Sequence, residues 1–198
     1  MGCTSSTDTL VVSLEQAFIL RDELAFLTAI KAMRLKPQDT VVVNFGWTRD
    51  MPNDFHEFTA LQAACHCCFA EVVEYFITEA ACKGKPLPME AVPIDKLKSK
   101  AIRFRRYRRT NKGKSALLSA MDCDAPCGHN ISDSFTRKKA HIITMLLDAG
   151  ADVHAVDARG LSVLSFATAH PSEFSIVKTL LQMGADPHTK DEHGLTLL

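Results

Sequence analysis

The chain contains 198 residues, of which 46% are hydrophobic and 23% are charged, and its 23 basic residues balance 23 acidic ones. This composition is typical of a soluble globular protein of one or two domains. It argues against a membrane-spanning protein, because no apolar run approaches the roughly 18 residues that a transmembrane helix needs.

The balanced net charge hides an uneven distribution. The segment Lys96–Lys114 carries ten basic residues and no acidic residue, so the rest of the chain holds 13 basic against 23 acidic residues. The chain also has seven cysteines and no secretory leader ahead of them. An odd number of cysteines in a sequence without a secretory leader predicts reduced thiols in the cytosol.

The N-terminus reads Met-Gly-Cys-Thr-Ser-Ser, which matches the M-G-x-x-x-[ST] pattern and adds a cysteine after the glycine. It resembles the start of dually acylated proteins, in which Gly2 carries a myristoyl group and Cys3 a palmitoyl group. One myristoyl chain binds a bilayer with an association constant of only about 10⁴ M⁻¹, so a second chain would make attachment stable. We therefore expect residues 1–12 to be a flexible acylated anchor. The alternative is a chance match, since Met-Gly starts are common.

A helical region follows the anchor. Ser13 and Gln16 form a capping-box pattern that opens it, and apolar residues keep helical spacing to about Pro37. The charged residues 21–23 mark the expected turn between two helices. Val41–Asn44 then predicts a connector that leads into a loop.

A second helical segment begins with Thr59–Cys65. The small residues at positions 64 and 65 allow close approach of a neighbouring helix. Glu71–Val73 and Phe76–Ile77 continue the segment with an apolar stripe at helical spacing. The pattern predicts a pair of helices.

The basic segment lies within residues 83–112. Contacts to an anionic surface are predicted for Lys98, Lys100, Arg103, Arg105, Arg106, Arg108 and Arg109. Near a cytoplasmic leaflet, each such cation adds about 1 kcal/mol of attraction to anionic lipid. An acidic protein partner is an equal alternative and a solvated loop ranks next. A nuclear address or a nucleic-acid strip, with Phe104 and Tyr107 as stacking faces, ranks last.

A third segment begins at Gly113–Met121, and its second helix is expected at His141–Ile143, so residues 122–135 form an insertion. A possible set of zinc ligands there is Cys123, Cys127 and His129, with His141 as a fourth. The C-x-x-x-C-x-H spacing is uncommon in structural zinc sites, so no metal or other cofactor is predicted. Gly113–Ser115 imitates the end of a phosphate-binding loop, but Arg108 stands where that loop requires glycine.

The last part of the chain contains an internal repeat. A shift of 34 residues aligns residues 142–164 with 176–198 and gives eleven identities in 23 positions, where chance gives roughly one or two. In each copy an apolar helix is followed by Gly-Ala-Asp, at Gly150 and Gly184. Glycine caps a helix in the left-handed conformation without steric cost. One helix pair of this size cannot bury its apolar face alone, so neighbouring units must stack.

This repeat resembles the ankyrin repeat, whose period is about 33 residues. Thr59–Cys65 is similar to the family's T-P-L-H-x-A-A motif, with Ala60 and Gln62 in place of proline and histidine. The resemblance implies an all-α fold, an ankyrin-type helix-turn-helix solenoid with long connector insertions over residues 13–198.

The implied units follow the chain in order. They are a degenerate capping repeat at 13–44, repeats at 55–82, 113–152 and 160–186, and the start of a truncated repeat at 191–198. The basic segment and the Cys/His insertion project from connectors, where new contacts cost the core little. The incomplete last unit implies either a longer array or a partner that covers its end.

The resemblance also implies a function. It is that of a non-catalytic scaffold or adaptor, whose protein partner docks on a concave face built from connector tips and first helices. Residues in those positions are His56, Glu57, Gln62, Lys112, Ser119, Ala158, Arg159, Phe166, Glu192 and His193. With the anchor, this predicts a cytoplasmic protein held on a plasma or flagellar-type membrane. The alternatives are a zinc protein or enzyme that uses the Cys/His insertion, and a nuclear ankyrin protein addressed by the basic segment.

Overall fold

Helices make up most of the chain in a computed structural model, which describes residues 14–44, 55–89, 109–110, 114–123, 133–157, 159–169, 174–190, 194 and 196. In chain order the elements are α1 (residues 14–20), α2 (Glu23–Met33), β1 (Thr40–Asn44), β2 (Phe55–Thr59), α3 (Ala60–His66), α4 (Ala70–Cys82), β3 (Arg109–Thr110), α5 (Ala116–Met121), α6 (Asp133–Asp148), α7 (Val163–Thr168) and α8 (Phe174–Gln182). Their mainly helical character agrees with the helical part of the predicted fold class. Among the described residues, no helix combines the length and apolar character needed to cross a bilayer.

The short helices α3, α5 and α7 begin in the same way. Thr59, Ser115 and Ser162 are extended N-cap residues. The hydroxyl of each accepts a hydrogen bond from the backbone amide three residues later, at 3.1, 3.2 and 3.3 Å. Removing such a cap typically costs about 1 kcal/mol. The three residues occupy matching places in the repeated segments, so similar local sequence produces the same helix start.

The two predicted glycine caps are present. Gly150 has φ of +93° and Gly184 has φ of +91°, in the left-handed region. After each glycine, an alanine amide donates to a leucine carbonyl five residues back, Ala151 to Leu146 and Ala185 to Leu180, both at 2.9 Å. Because the two corners share this geometry, the repeated Gly-Ala-Asp sequence does specify a repeated turn.

The predicted turn at residues 21–23 is also present. Arg21 has φ of +54°, and Asp22 is the N-cap of α2. The Asp22 carboxylate accepts the amide hydrogen of Ala25 at 3.0 Å. Ser13, the cap predicted for α1, lies outside the described residues.

The helices pack as successive pairs. Within pairs, α3 contacts α4, α5 contacts α6 and α7 contacts α8. Between pairs, α3, α5 and α7 contact in that order, and so do α2, α4, α6 and α8. We call α3, α5 and α7 the front helices and α2, α4, α6 and α8 the rear helices.

A continuous apolar core runs through both sets of helices, from Leu14 to Ala185. The largest fully buried apolar side chains are Phe26, Ile30, Leu61, Phe76, Leu117, Leu118, Ile142, Ile143, Leu146, Ile176 and Leu180. Ala64 and Cys65 are also fully buried, as their size and position predict. Since every pair contributes to this core, each pair depends on its neighbours for burial.

A small sheet departs from the all-α prediction. In the described residues β1 pairs with β2 in antiparallel register, from Thr40 opposite Thr59 to Asn44 opposite Phe55, and β2 pairs in parallel with β3. The predicted connector Val41–Asn44 is therefore a strand. Its valines are β-branched and alternate between buried and exposed, with Val41 and Val43 inside, which is the pattern of a half-buried strand. The end of the predicted basic insertion joins this sheet at Arg109–Thr110.

The insertion predicted at residues 122–135 is shorter than expected. The rear helix α6 begins at Asp133, eight residues before the predicted start at His141. Its first turns are polar, but Phe135 is half-buried and Lys139 is buried. These two positions continue the buried face of α6 toward its N-terminus, beyond the start predicted from the sequence.

Candidate functional site

A set of polar and aromatic side chains links the three front helices. Lys114 precedes the N-cap of α5, and its carbonyl oxygen accepts a hydrogen bond from Gln62 Nε2 of α3 at 2.6 Å. The Lys114 ammonium pairs with Asp122 and lies 5.8 Å from the centroid of the Phe166 ring in α7. We call Gln62, Lys114, Asp122 and Phe166 the Lys114 cluster, since Lys114 contacts residues from two other parts of the chain.

The charged side chains of this cluster are partly accessible. The Lys114 side chain is 19% exposed and the Asp122 side chain 39% exposed, and the Phe166 ring is half-buried. An exposed ion pair contributes at most about 1 kcal/mol, and a cation over an aromatic ring at an exposed site about 0.5–1 kcal/mol. Stability alone therefore gives these groups a small role, and they remain accessible to a partner.

Gln62 serves the fold from inside. Its side-chain oxygen accepts a hydrogen bond from the Thr59 backbone amide at 2.8 Å. The Gln62 backbone amide donates to the Thr59 hydroxyl at 3.1 Å, which completes a capping box. Its Nε2 atom bonds Lys114 as described above. With only 5% of its surface exposed, Gln62 shapes the cluster and is not itself a contact residue.

Two more predicted contact residues are buried. Ser119 is 2% exposed, and its hydroxyl donates to the Ser115 carbonyl at 3.0 Å within α5. Glu57 is 4% exposed in β2. The prediction that Gln62, Ser119 and Glu57 present side chains to a partner is therefore corrected. A helical or strand position on the expected face does not reveal how far neighbouring elements cover it.

Arg159 is the predicted contact residue that the described structure presents most openly, with 60% of its side chain exposed. Its guanidinium contacts the buried Asp157 carboxylate, with Nε and Nη2 each 3.1 Å from Oδ2. The other oxygen of Asp157 accepts the backbone amides of Arg159 and Leu161 at 2.8 and 2.9 Å. Asp157 thus holds both the connector turn and the exposed arginine. The 34-residue repeat aligns Asp157 with Asp191, and this identity in the sequence indicated that the position matters to the repeated unit.

Several predicted residues lie outside the described part of the chain. They are the lipidation residues Gly2 and Cys3, the contact residues Lys112, Ala158, Glu192 and His193, and the cations Lys98, Lys100, Arg103, Arg105, Arg106 and Arg108. His56 and Arg109 are described as backbone, where they face each other in the pairing of β2 with β3. The predictions for these residues stay predictions.

Two of the four possible zinc ligands, Cys123 and His141, lie among the described residues. Cys123 is buried and its sulfur contacts Cys68, whereas His141 is exposed on α6. Cys127 and His129 lie outside the described residues. Within the segments that the structure describes, no group of three or more His, Cys, Asp and Glu side chains is arranged to hold a metal ion.

Two other buried thiols lie at α3, Cys65 within the helix and Cys67 at its C-cap. Burial raises the pKa of Cys65 above the usual thiol range, and nearby cysteines raise it further. Burial also raises the pKa of Cys67 to about 12, against a smaller lowering by Arg21. Both thiols are therefore neutral and unreactive at physiological pH.

Neither a scan against protein-family models nor a search of curated proteins finds a match to this chain.

Proposed function

We propose that the chain is a non-catalytic, ankyrin-type adaptor that binds a protein partner and is tethered to the cytoplasmic face of a membrane by acyl groups on Gly2 and Cys3. The observation that carries the proposal is the order of helix contacts, front helix to front helix and rear helix to rear helix. The matching N-caps and the matching corners at Gly150 and Gly184 support it. An array of this kind has its core between its units and leaves an extended surface for docking.

The proposed docking surface follows the front helices and the connectors. Two of its groups are the exposed Arg159 guanidinium, oriented by Asp157, and the partly exposed Lys114 with the Phe166 ring beside it. A cation and an aromatic ring are residue types that protein interfaces favour. A partner that offers carboxylates beside an apolar patch would complement them.

The proposed membrane attachment combines lipid and charge. Two acyl chains give stable anchoring where one does not. The basic segment then adds about 1 kcal/mol per cation close to an anionic leaflet. The acyl groups determine attachment in this scheme, and the basic segment increases its strength.

Site-specific photo-crosslinking tests the docking surface. A benzophenone amino acid replaces Arg159 in one variant and Lys178, an exposed residue on the rear helix α8, in another. We expect a discrete crosslinked complex in cells from position 159 and not from position 178. Equal crosslinking from both positions, with both variants folded by thermal unfolding, would contradict the proposed surface.

Acyl labelling tests the anchor independently of the partner. We expect labelled myristate to enter the wild-type chain and Cys3→Ser but not Gly2→Ala, and labelled palmitate to require both residues. A tagged Gly2→Ala variant should lose its membrane signal. A nuclear signal that is unchanged by Gly2→Ala would favour the nuclear alternative over the membrane proposal.

A further inference from the structure

Two buried cysteines that are far apart in sequence meet between neighbouring front helices. Cys68 follows the C-cap residue of α3, and Cys123 follows the C-cap residue of α5. Because α3 packs against α5, these matching helix ends lie side by side. The two sulfur atoms are 3.0 Å apart, with the Cys68 thiol donating to Cys123. A disulfide bond of about 2.05 Å is only a small movement from this contact.

The backbone at Cys68 is unusual and is held in place. Cys68 has φ of +58°, a left-handed conformation that is strained for a non-glycine residue. The amide that follows, from Phe69, donates to the Ala64 carbonyl at 2.9 Å, which closes the helix end. This conformation orients the Cys68 side chain toward Cys123, and the packing of the two front helices maintains it.

Two cations surround the pair. The Arg21 guanidinium, from the turn between α1 and α2, lies 4.0 Å from the Cys123 sulfur. Lys139, buried on the rear helix α6, donates to the Met121 carbonyl at 2.8 Å, two residues before Cys123. Positive charge at this place stabilises a thiolate.

The two thiols differ in acidity. The hydrogen bond from Cys68, together with Arg21 and Lys139, lowers the pKa of Cys123 despite its burial. The same hydrogen bond and burial raise the pKa of Cys68 above the usual thiol range. Cys123 is therefore the nucleophile of the pair, and Cys68 holds the proton.

We propose that Cys68 and Cys123 form a reversible intramolecular disulfide when the protein meets a hydroperoxide. This thiol pair is a modification site within the folded chain. The inference rests on the sulfur contact and its cations, and it does not depend on the adaptor function.

The reaction balances in two steps. The Cys123 thiolate attacks one peroxide oxygen, the O–O bond breaks, and hydroxide leaves and takes a proton from solvent, so that Cys123 becomes a sulfenic acid. The Cys68 sulfur then attacks the sulfenic sulfur, the S–O bond breaks, and the oxygen leaves as water with the Cys68 proton. The two sulfurs lose two electrons and the peroxide oxygens gain them. A dithiol reductant reverses the bond by thiol–disulfide exchange.

The other described cysteines fit this reaction less well. Cys67 directs its sulfur toward the Phe18 carbonyl at 3.8 Å, and Cys65 is fully buried in α3. Cys82 is exposed at the end of α4. Cys82 therefore supplies a control for simple access to oxidant.

The bond would join residues 55 positions apart and fasten the α3–α4 pair to the α5–α6 pair. A crosslink across a long loop reduces the conformational freedom of the unfolded chain. We therefore expect the oxidised chain to unfold at a higher temperature than the reduced chain. Oxidation would also hold the two front helices in a single arrangement.

The test is disulfide mapping of the full-length chain after titration with hydrogen peroxide, with free thiols blocked before proteolysis. We expect a peptide pair linked through Cys68 and Cys123 that disappears on treatment with a dithiol. It should form in Cys82→Ser and be absent from Cys123→Ser and Cys68→Ser. Arg21→Gln should form the same link several-fold more slowly.

Disulfide mapping of the wild-type chain tests the proposal even if a cysteine variant fails to fold. Over-oxidation of Cys123 to sulfinic acid without the link would overturn the proposal. So would oxidation confined to Cys82, or disulfides that join two copies of the chain in place of the internal bond.

Discussion

The α3 region and the α8 region show two relations between sequence and burial. Around α3 the sequence departs from the predicted repeat motif, yet every residue of the helix except His66 is buried. In α8 the repeat is at its clearest, yet Ile176 and Leu180 are its buried residues, while Phe174 is 76% and Leu181 is 46% exposed. A closer match to the repeat motif therefore does not mean that more of the helix is buried.

Neighbouring elements explain the contrast. The α3–α4 pair lies between α2 on one side and α5 and α6 on the other, and it also contacts the sheet. Among the described elements, the main contacts of α8 are with its partner α7 and the rear helix α6. The motif specifies the shape of one unit, whereas burial depends on how many sides of that unit are covered.

The chemistry between helices differs as well. Across α3 and α5, Gln62 donates to Lys114, and Cys68 meets Cys123. Across α5 and α7, the Lys114 ammonium faces the Phe166 ring. Polar groups that are buried and satisfied at the first interface specify one arrangement, because any other leaves them without partners.

The largest expected effect comes from a matched pair of phenylalanine substitutions. Phe76→Ala removes a fully buried ring from α4 and should lower the free energy of unfolding by about 3–5 kcal/mol. Phe174→Ala removes an exposed ring from α8 and should change it by less than about 0.5 kcal/mol. Denaturant unfolding measures both. Similar losses would show that α8 is covered in solution and that the contrast between the regions is smaller than described.

A smaller effect is expected at the third position of the front helices. Gln62→Ala leaves the Thr59 amide and the Lys114 carbonyl without this partner and should cost about 1–3 kcal/mol. Ser165→Ala removes a half-buried hydroxyl at the matching place in α7 and should cost less than about 1 kcal/mol. Thermal and urea unfolding of the two variants compare the interfaces directly. A cost at Ser165 equal to that at Gln62 would remove the distinction drawn between them.

The last expected effect is absent at neutral pH and appears as a change in the slope of stability at alkaline pH. Since the pKa of Cys67 rises from 9.0 to about 12 on burial, the unfolded chain loses this proton before the folded chain does. The protonated Cys67 thiol contributes its full share of stability below pH 9, and this share is lost as the pH rises toward 12. In Cys67→Ala, stability should therefore fall less steeply across this window, by up to about 1.4 kcal/mol per pH unit.

The matched control for this measurement is Cys82→Ala, which removes an exposed thiol. Urea unfolding at several alkaline pH values should show the wild-type slope in this variant. An unchanged slope in Cys67→Ala would mean that the buried thiol does not contribute to alkaline destabilisation of the α3 region.

The helix starts and helix corners could be predicted from the sequence. Ser115 and Ser162 cap their helices through bonds to residues three positions away, and Gly150 and Gly184 close theirs over five positions. Interactions of such short range depend on residue type and spacing, which the sequence displays. The mainly helical class follows from the same local signals.

The sheet, the burial of the predicted contact residues and the cysteine pair required the tertiary structure. Val41–Asn44 becomes a strand because residues 55–59 lie beside it. Gln62 is buried where α3 packs against α5, and a carbonyl 52 positions away accepts its hydrogen bond. Cys68 meets a sulfur 55 positions away. Local spacing carries no record of contacts over such separations, since they depend on how whole helices pack. The sequence thus determined the form of each unit, and packing decided which side chains are hidden, which are presented and which thiols meet.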